Sequence, residues 1–404
     1  MRLWDAENEQ MEREDLEQLQ LERLQSTLNR AYKNVPFYRK EFDELGIDPG
    51  ALSSVQEITR LPFTTREDLG DNYPYGMFAM PLRDIVRISS STGTTPKPVV
   101  VGYTILNPGL SNWGRALKEG AENIGASVMP MSHMSTSKQL LAMRDYKTSV
   151  FIATPSYAMH MVEVMGAIDI DTSALALKAI VLVGEALKQE TRERLESTFK
   201  IDVTASYGPS DVMGPGLAFE CMEKDGLHIS EDHFLLEIVA SDGEAPCAPG
   251  EEGEVVLTTL TAKAVPFIRF RTGDLASMMA GACPCGRTLA RMSGITGHTG
   301  EVVTIRGVKV HPAQIDRIIK GLFQGFSPRF LIHLYKESYQ DMTEIWLEMN
   351  EAIFSDEVKI LEGTLKHLRE QVLEMLGLHV TIRLVEAETI EQYAKASGGV
   401  LDER

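Results

Sequence analysis

Residues 89–98 read Ser-Ser-Ser-Thr-Gly-Thr-Thr-Pro-Lys-Pro and directly follow the apolar stretch 85–88. This composition suits a loop that grips phosphate. Ser91, Thr92, Thr94 and Thr95 can donate hydrogen bonds to anionic oxygens, Gly93 lets backbone N–H groups approach closely, and Lys97 brings a mobile positive charge. Ser/Thr/Gly/Pro clusters also make ordinary turns, and the run lacks the Gly-x4-Gly-Lys-Ser/Thr spacing of the commonest nucleotide loop. Taken alone, it leaves a nucleotide site and a plain turn equally open.

Two further groups fall at the ends of apolar stretches. In Tyr207-Gly208-Pro209-Ser210-Asp211, Tyr207 can stack on an adenine while Asp211 faces a metal–phosphate; the alternative is a simple turn. Phe270-Arg271-Thr272-Gly273-Asp274 places a carboxylate after a strand, where it can accept hydrogen bonds from both hydroxyls of a ribose, although Thr-Gly-Asp is equally a common turn. The cysteines point to different chemistry. Cys283 and Cys285 stand one residue apart on a turn, and Cys221 lies seven residues before His228. Tetrahedral Zn²⁺ held by Cys221, His228, Cys283 and Cys285 is the resulting expectation, with His233 the rival imidazole; filled ligand positions make the site structural. Cys247, in the Pro/Gly-rich loop 245–250, stands apart.

The elements that must position these residues alternate in type. Leu16, Leu19, Leu21, Leu24, Leu28 and Ala31 recur among charges in an amphipathic helix over 8–33, which Pro36 ends. From about residue 115 the rhythm is helix then strand: 116–124 and 127–131, 137–145 and 149–153, 157–165 and 179–183. That is an α/β domain with a largely parallel sheet, whose ligands sit at strand C-terminal ends. The stretches 254–258, 264–269 and 302–305 read as β, and the tail reads strand 330–335, strand 344–349, helix 355–376, strand 379–385, a small α+β domain. Met129, Met131, Met134 and Met143 either line a pocket or are plain core.

Composition excludes several function classes. The 404 residues are 43% hydrophobic, enough for a large core and two or more domains. Acidic residues outnumber Lys and Arg 58 to 40, for a formal charge of -18, which argues against nucleic acid or an anionic membrane as the main partner. Residues 1–22 contain no apolar core of a secretory signal and no segment is apolar for long enough to span a bilayer, so a soluble cytoplasmic protein is expected. Four cysteines are too few for a disulfide scaffold.

Taken in order, the motifs make the chain resemble the phenylacetate-CoA ligase family, a branch of the adenylate-forming superfamily, over nearly its whole length. The resemblance rests on residues 34–38, 61–65, 72–76, the 89–98 loop, 154–157, 207–216, 231–234 and 306–312. It implies a large AMP-binding α/β domain, 1–297, of several subdomains and a small mobile C-terminal α+β domain, 298–404. The implied reaction joins a carboxylic acid, most readily an aromatic one, to CoA: the carboxylate attacks the α-phosphate of ATP, and the CoA thiol then displaces AMP after the small domain swings round. The site residues follow by the same likeness. Ser91, Thr92, Gly93, Thr94, Thr95 and Lys97 hold phosphates; Gly184, Glu185, Ser206, Tyr207 and Gly208 line the adenine pocket; Asp211 stands near Mg²⁺; Asp274 binds ribose. His298, Arg306 and Gly307 stand at the hinge and nucleotide, and Lys395 is nearest to the family's adenylating lysine. Some relatives carry a similar Cys/His set, and a homodimer is implied.

The chain departs from the family pattern at four places. Pro96 replaces a glycine and removes an N–H donor from the phosphate loop. The hinge reads Gly297-His298-Thr299-Gly300-Glu301 where Gly-Arg-x-Asp-Asp is usual. Ala396 and Gly398 align with the lysine-bearing positions near the C-terminus. A helix and strand of the acyl pocket are missing between Thr104 and Leu110. These departures keep open an adenylating ligase with an amine acceptor and a nucleotide-binding relative whose catalysis has decayed.

Overall fold

A computed structural model of the protein describes residues 3–85, 87–90, 100–103, 115–131, 134–241, 243–300, 302–305, 308–323, 328–337, 340–349, 358–397 and 399–404. The N-terminal leucines do form a helix, Arg13–Asn34, which buries Leu16, Leu24, Leu28 and Ala31. That helix ends at Asn34, as read, and Pro36 then opens new helical structure. It occupies the first turn of a second helix, Pro36–Leu45, where a missing N–H costs nothing, and that helix buries Tyr38 and Phe42.

The large domain is built on a ten-stranded sheet. Its order runs Val150–Ala153, Ala179–Val183, Asp202–Tyr207, Ala218–Glu220, Leu227–Ile229, Arg291–Met292, Phe270–Met279, Glu252–Thr259, Phe234–Val239, with Gly297–His298 also paired to Phe270–Met279. The expectation of a largely parallel sheet is corrected. Only the first three strands in that order run parallel; every later pairing is antiparallel. Helices Pro155–Ala167 and Gln189–Phe199 supply the crossovers of the parallel part, and beyond Tyr207 the antiparallel neighbours need no crossover helix.

Two stretches read as strands are not. Residues 127–131 carry no strand pairing, and 264–269 form a buried irregular turn before the strand Phe270–Met279 begins. The second case has a physical cause. Arg269 adopts φ +45° and turns a buried guanidinium toward the carbonyls of Thr59 and Leu61 and the carboxylate of Glu237. Main-chain pairing is spent instead on Thr64, whose N–H donates to Arg269 O at 3.1 Å.

The chain leaves the large sheet after His298. The hairpin Val303–Ile305 and Val308–Val310 places Ile305 and Val310 in a separate core with Ile315, Ile319, Ile332, Ile345, Leu368 and Val372. The small sheet has the order Thr381–Val385, Gln340–Glu348, Phe330–Glu337, Val400–Asp402. Its other face carries Leu331, Trp346 and Val385 against Ile390 of helix Ala387–Ser397. Alternation along each strand thus feeds two cores. That last helix and the closing strand Val400–Asp402 were not read from the sequence, because only Ile390 and Tyr393 mark an apolar face there.

Candidate active site

Asp274 is the focus of the site and is 1% exposed. It lies inside the strand Phe270–Met279 rather than after it, at a register shift between Arg271 and Leu275. Gly273, at φ +74°, makes this irregularity possible. Tyr207, the last residue of its own strand, donates from its hydroxyl to Asp274 Oδ2 at 2.8 Å. His298 Nδ1 lies 2.7 Å from Asp274 Oδ1, and the Lys309 ammonium donates to that same oxygen. Burial alone would raise the Asp274 carboxyl, but the charges of Lys309 and His298 outweigh it and hold the group well below the usual carboxylate range. The Tyr207 hydroxyl is pushed far up by burial and by the adjoining carboxylate.

A second buried carboxylate lies nearby. Asp211 Oδ2 accepts from Arg66 Nε at 3.2 Å and Nη2 at 2.9 Å. Arg66 follows Thr65, which caps helix Arg66–Asp71 in a reciprocal arrangement with Asp68. The guanidinium is buried, yet Asp211, Asp274 and Tyr207 together raise its affinity for its proton. Asp211 is carried on the tight turn after Tyr207, and Gly208 is required there: a Cβ would stand 1.7 Å from the Gly214 carbonyl oxygen. Gly208 therefore serves the turn, and Ser206 Oγ donates to Ala218 O at 3.0 Å.

Gly184 and Glu185 follow the strand Ala179–Val183, with Gly184 at φ +79°. Both Glu185 oxygens accept from Ser156, from its N–H at 3.0 Å and its hydroxyl at 2.7 Å. The carboxylate thus sits at the N-terminus of helix Pro155–Ala167. Burial nevertheless pushes its pKa up, and Asp341 of the small domain adds to that while Lys336 opposes it.

Ser91, Thr92, Gly93, Thr94, Thr95, Lys97, Arg306 and Gly307 lie outside the described residues, as does the 104–110 segment. The strands on either side of residues 91–99, Arg87–Ser90 and Val100–Tyr103, pair antiparallel with Ser90 opposite Val100. Lys395 lies on helix Ala387–Ser397. The structure brings Tyr207, Asp274 and His298 together and adds Arg66 and Lys309, which the sequence reading did not single out. A signal for Lys309 is present: it alternates with Val308 and Val310 on a short strand, which turns it to the face opposite the small-domain core.

The four proposed metal ligands converge. One donor atom from each of Cys221, His228, Cys283 and Cys285 lies within 4.8 Å of the others. The Cys221 and Cys283 sulfurs are 3.6 Å apart, and Cys285 Sγ is 3.4 Å from His228 Nε2. The edges of a tetrahedral Zn²⁺ site with ordinary bond lengths are about 3.6–3.8 Å. His233 is elsewhere: its Nδ1 is 2.9 Å from Thr261 Oγ1. Arg287 donates to Cys285 Sγ and pairs with Glu9, linking this turn to the N-terminal segment.

A buried aspartate, a tyrosine at the end of a parallel strand and a small domain bearing a lysine onto that aspartate make up this site, and the chain around it is that of an AMP-binding enzyme by the family models that match it. The family described as AMP-binding enzyme matches residues 119–261, and AMP-binding enzyme C-terminal domain matches residues 307–404. The phenylacetate-coenzyme A ligase of Aromatoleum evansii is 36% identical, covering 95% of this chain and 93% of that one. That of Escherichia coli K12 is 35% identical, covering 97% and 95%. The chain belongs to the phenylacetate-CoA ligase family. Among solved structures, 2-hydroxyisobutyryl-CoA ligase with 2-HIB-AMP and CoA in the thioesterification state has the same fold, with TM-score 0.90 and 23% identity over 100% of this chain and 94% of that one. The same ligase in its postadenylation state with 2-HIB-AMP gives a TM-score of 0.67, at 23% identity over 100% of this chain and 94% of that one.

Proposed function

We propose that the protein is an ATP-dependent acid–CoA ligase that activates an aromatic carboxylic acid as its acyl-adenylate and transfers the acyl group to CoA. The observation that carries this reading is full-length kinship at 36% identity with a curated phenylacetate-CoA ligase, 93% of whose length is matched. Chemistry at Asp274 supports it. A carboxylate that stays ionised in a buried setting is a strong acceptor for ribose hydroxyls, because desolvation strengthens each charge-assisted bond.

In this reading Asp274 and Tyr207 orient the nucleoside, Gly184, Glu185, Ser206 and Gly208 bound the adenine, and the hydroxyls and lysine of the 91–97 loop with Arg306 and Gly307 hold phosphates. In-line attack on the α-phosphate then needs chiefly positioning and neutralisation of charge. Lys395, next in sequence to the positions where the family carries its adenylating lysine, is the candidate for that role, and His298 takes the place of the hinge arginine. Mg²⁺ would supply further neutralisation; Asp211 offers the hard oxygen it prefers, beside Arg66. Zn²⁺ at Cys221, His228, Cys283 and Cys285 is assigned a structural role, since four protein donors leave no open position. A cytoplasmic homodimer completes the reading, resting on the family likeness; among the described residues no helix is long and apolar enough to cross a membrane.

The test is mass-spectrometric detection of acyl-CoA from ATP, CoA and a panel of aryl and aliphatic acids, with hydroxylamine as a competing acceptor. An aryl-CoA product supports the reading. Hydroxamate without thioester would move the acceptor from CoA to an amine, and neither product with any acid would leave a nucleotide-binding relative.

A further inference from the structure

Two separate parts of the small domain meet the large one, and a single side chain, Arg404, holds both. The first part is the hairpin Val303–Ile305 and Val308–Val310, in which Thr304 stands directly opposite Lys309. Lys309 reaches Asp274, and Thr304 Oγ1 lies 2.9 Å from Nε2 of His298 on the large sheet. The second part is the strand Gln340–Glu348, which lies against helix Pro155–Ala167. Its Asp341 is close enough to act on Glu185, the carboxylate at the N-terminus of that helix. Arg404 Nη1 donates to both parts, to Thr304 O at 2.6 Å and to Asp341 Oδ2 at 2.7 Å. Its Nε and Nη2 grip the two oxygens of Asp402 at 2.8 and 2.6 Å, which fixes the plane of the guanidinium.

We propose that Arg404 is a positioning residue for acyl transfer to CoA: it clasps the hairpin to Asp341 and so holds the small domain docked on the large one. The inference rests on the acid–CoA ligase reading above. Docking brings Asp341 toward Glu185, and two carboxylates that approach in a partly buried setting repel. Lys336 opposes that repulsion, and Arg404 offsets the Asp341 charge directly. The same guanidinium fixes the main chain of the residue paired with Lys309, so the hairpin and the strand are tied into one body. The two domains are placed as in 2-hydroxyisobutyryl-CoA ligase in its thioesterification state, at TM-score 0.90, rather than as in its postadenylation state, at 0.67. Acyl transfer is therefore the step that depends on the clasp.

Two half-reactions measured on the full-length protein test this: acid-dependent pyrophosphate exchange into ATP without CoA, and acyl-CoA formation from ATP, CoA and the same acid. Arg404→Met should leave exchange within about 2-fold of wild type and slow acyl-CoA formation about 10-fold, the scale of one hydrogen bond to a charged group. Adding Asp341→Asn to Arg404→Met should recover part of the loss, because it removes the charge that Glu185 meets. Arg404→Lys keeps a charge but not the planar fork and should fall between wild type and Arg404→Met; where Arg404→Met does not fold, it carries the same comparison. Equal loss in both half-reactions for the two single variants overturns the proposal, since the guanidinium then serves only the folding of the small domain. Acyl-CoA formation at the wild-type rate by Arg404→Met overturns it, as does a double variant no faster than Arg404→Met. If the wild type exchanges pyrophosphate but forms no acyl-CoA with any acid, the ligase reading itself fails and the role of Arg404 in acyl transfer falls with it.

Discussion

Arg66 closes on a single oxygen of Asp211 with two of its nitrogens, at 3.2 and 2.9 Å, joining residues 145 positions apart. Both side chains are largely buried, with 15% and 6% accessible, so neither charge can fall back on water. Removing one partner leaves the other uncompensated. Arg66→Met should cost about 3 kcal/mol in chemical denaturation, and Arg66→Met combined with Asp211→Leu should recover a good part of it. An additive double variant would show that the two charges are not coupled.

Asp274 gives the protein a pH-dependent stability of definite sign. Its folded-state carboxyl titrates far below an ordinary aspartate, so its ionised form stabilises the fold above about pH 4–5, the unfolded range, and that contribution is lost as pH falls toward the folded value. Asp274→Asn should therefore be less stable than wild type at pH 7, with the gap in Tm narrowing below about pH 4. A gap that widens on acidification would contradict the charge assignment.

The metal proposal predicts about one zinc per chain by elemental analysis, following from the one four-donor cluster among the described residues. Cys283→Ser should lose the metal and lower Tm, whereas Cys247→Ser, outside the cluster, should retain both. Chelation should loosen the N-terminal segment as well, because Arg287 links the cysteine turn to Glu9.

Gly208→Ala should be poorly tolerated. The added Cβ would overlap the Gly214 carbonyl at 1.7 Å, so the turn carrying Asp211 must shift. We expect destabilisation of about 2–3 kcal/mol together with loss of nucleotide affinity. Wild-type stability in this variant would mean the turn can open freely.

What the sequence made legible was local. Leucines at helical spacing gave Arg13–Asn34, and short apolar runs gave Val150–Ala153 and Ala179–Val183. Tyr207, Asp274 and His298, which the structure brings together, were singled out through the family resemblance of the motifs around them, and the cysteine–histidine set through its spacing. The antiparallel part of the sheet was not, since a buried strand reads the same whichever way its neighbour runs. Arg66 and Lys309 escaped for a different reason. Each matters through a partner 145 or 35 residues away, and only the register shift in Phe270–Met279 and the hairpin of the small domain bring those partners together.

The central claim is that this chain still forms an acyl-adenylate despite Pro96, His298 and the absence of lysine at 396 and 398. Acid-dependent exchange of radiolabelled pyrophosphate into ATP, run without CoA across a panel of aryl acids, tests it most directly. The account predicts exchange above background with at least one aryl acid, abolished in Asp274→Ala. No exchange with any acid, from protein that binds ATP, would contradict it.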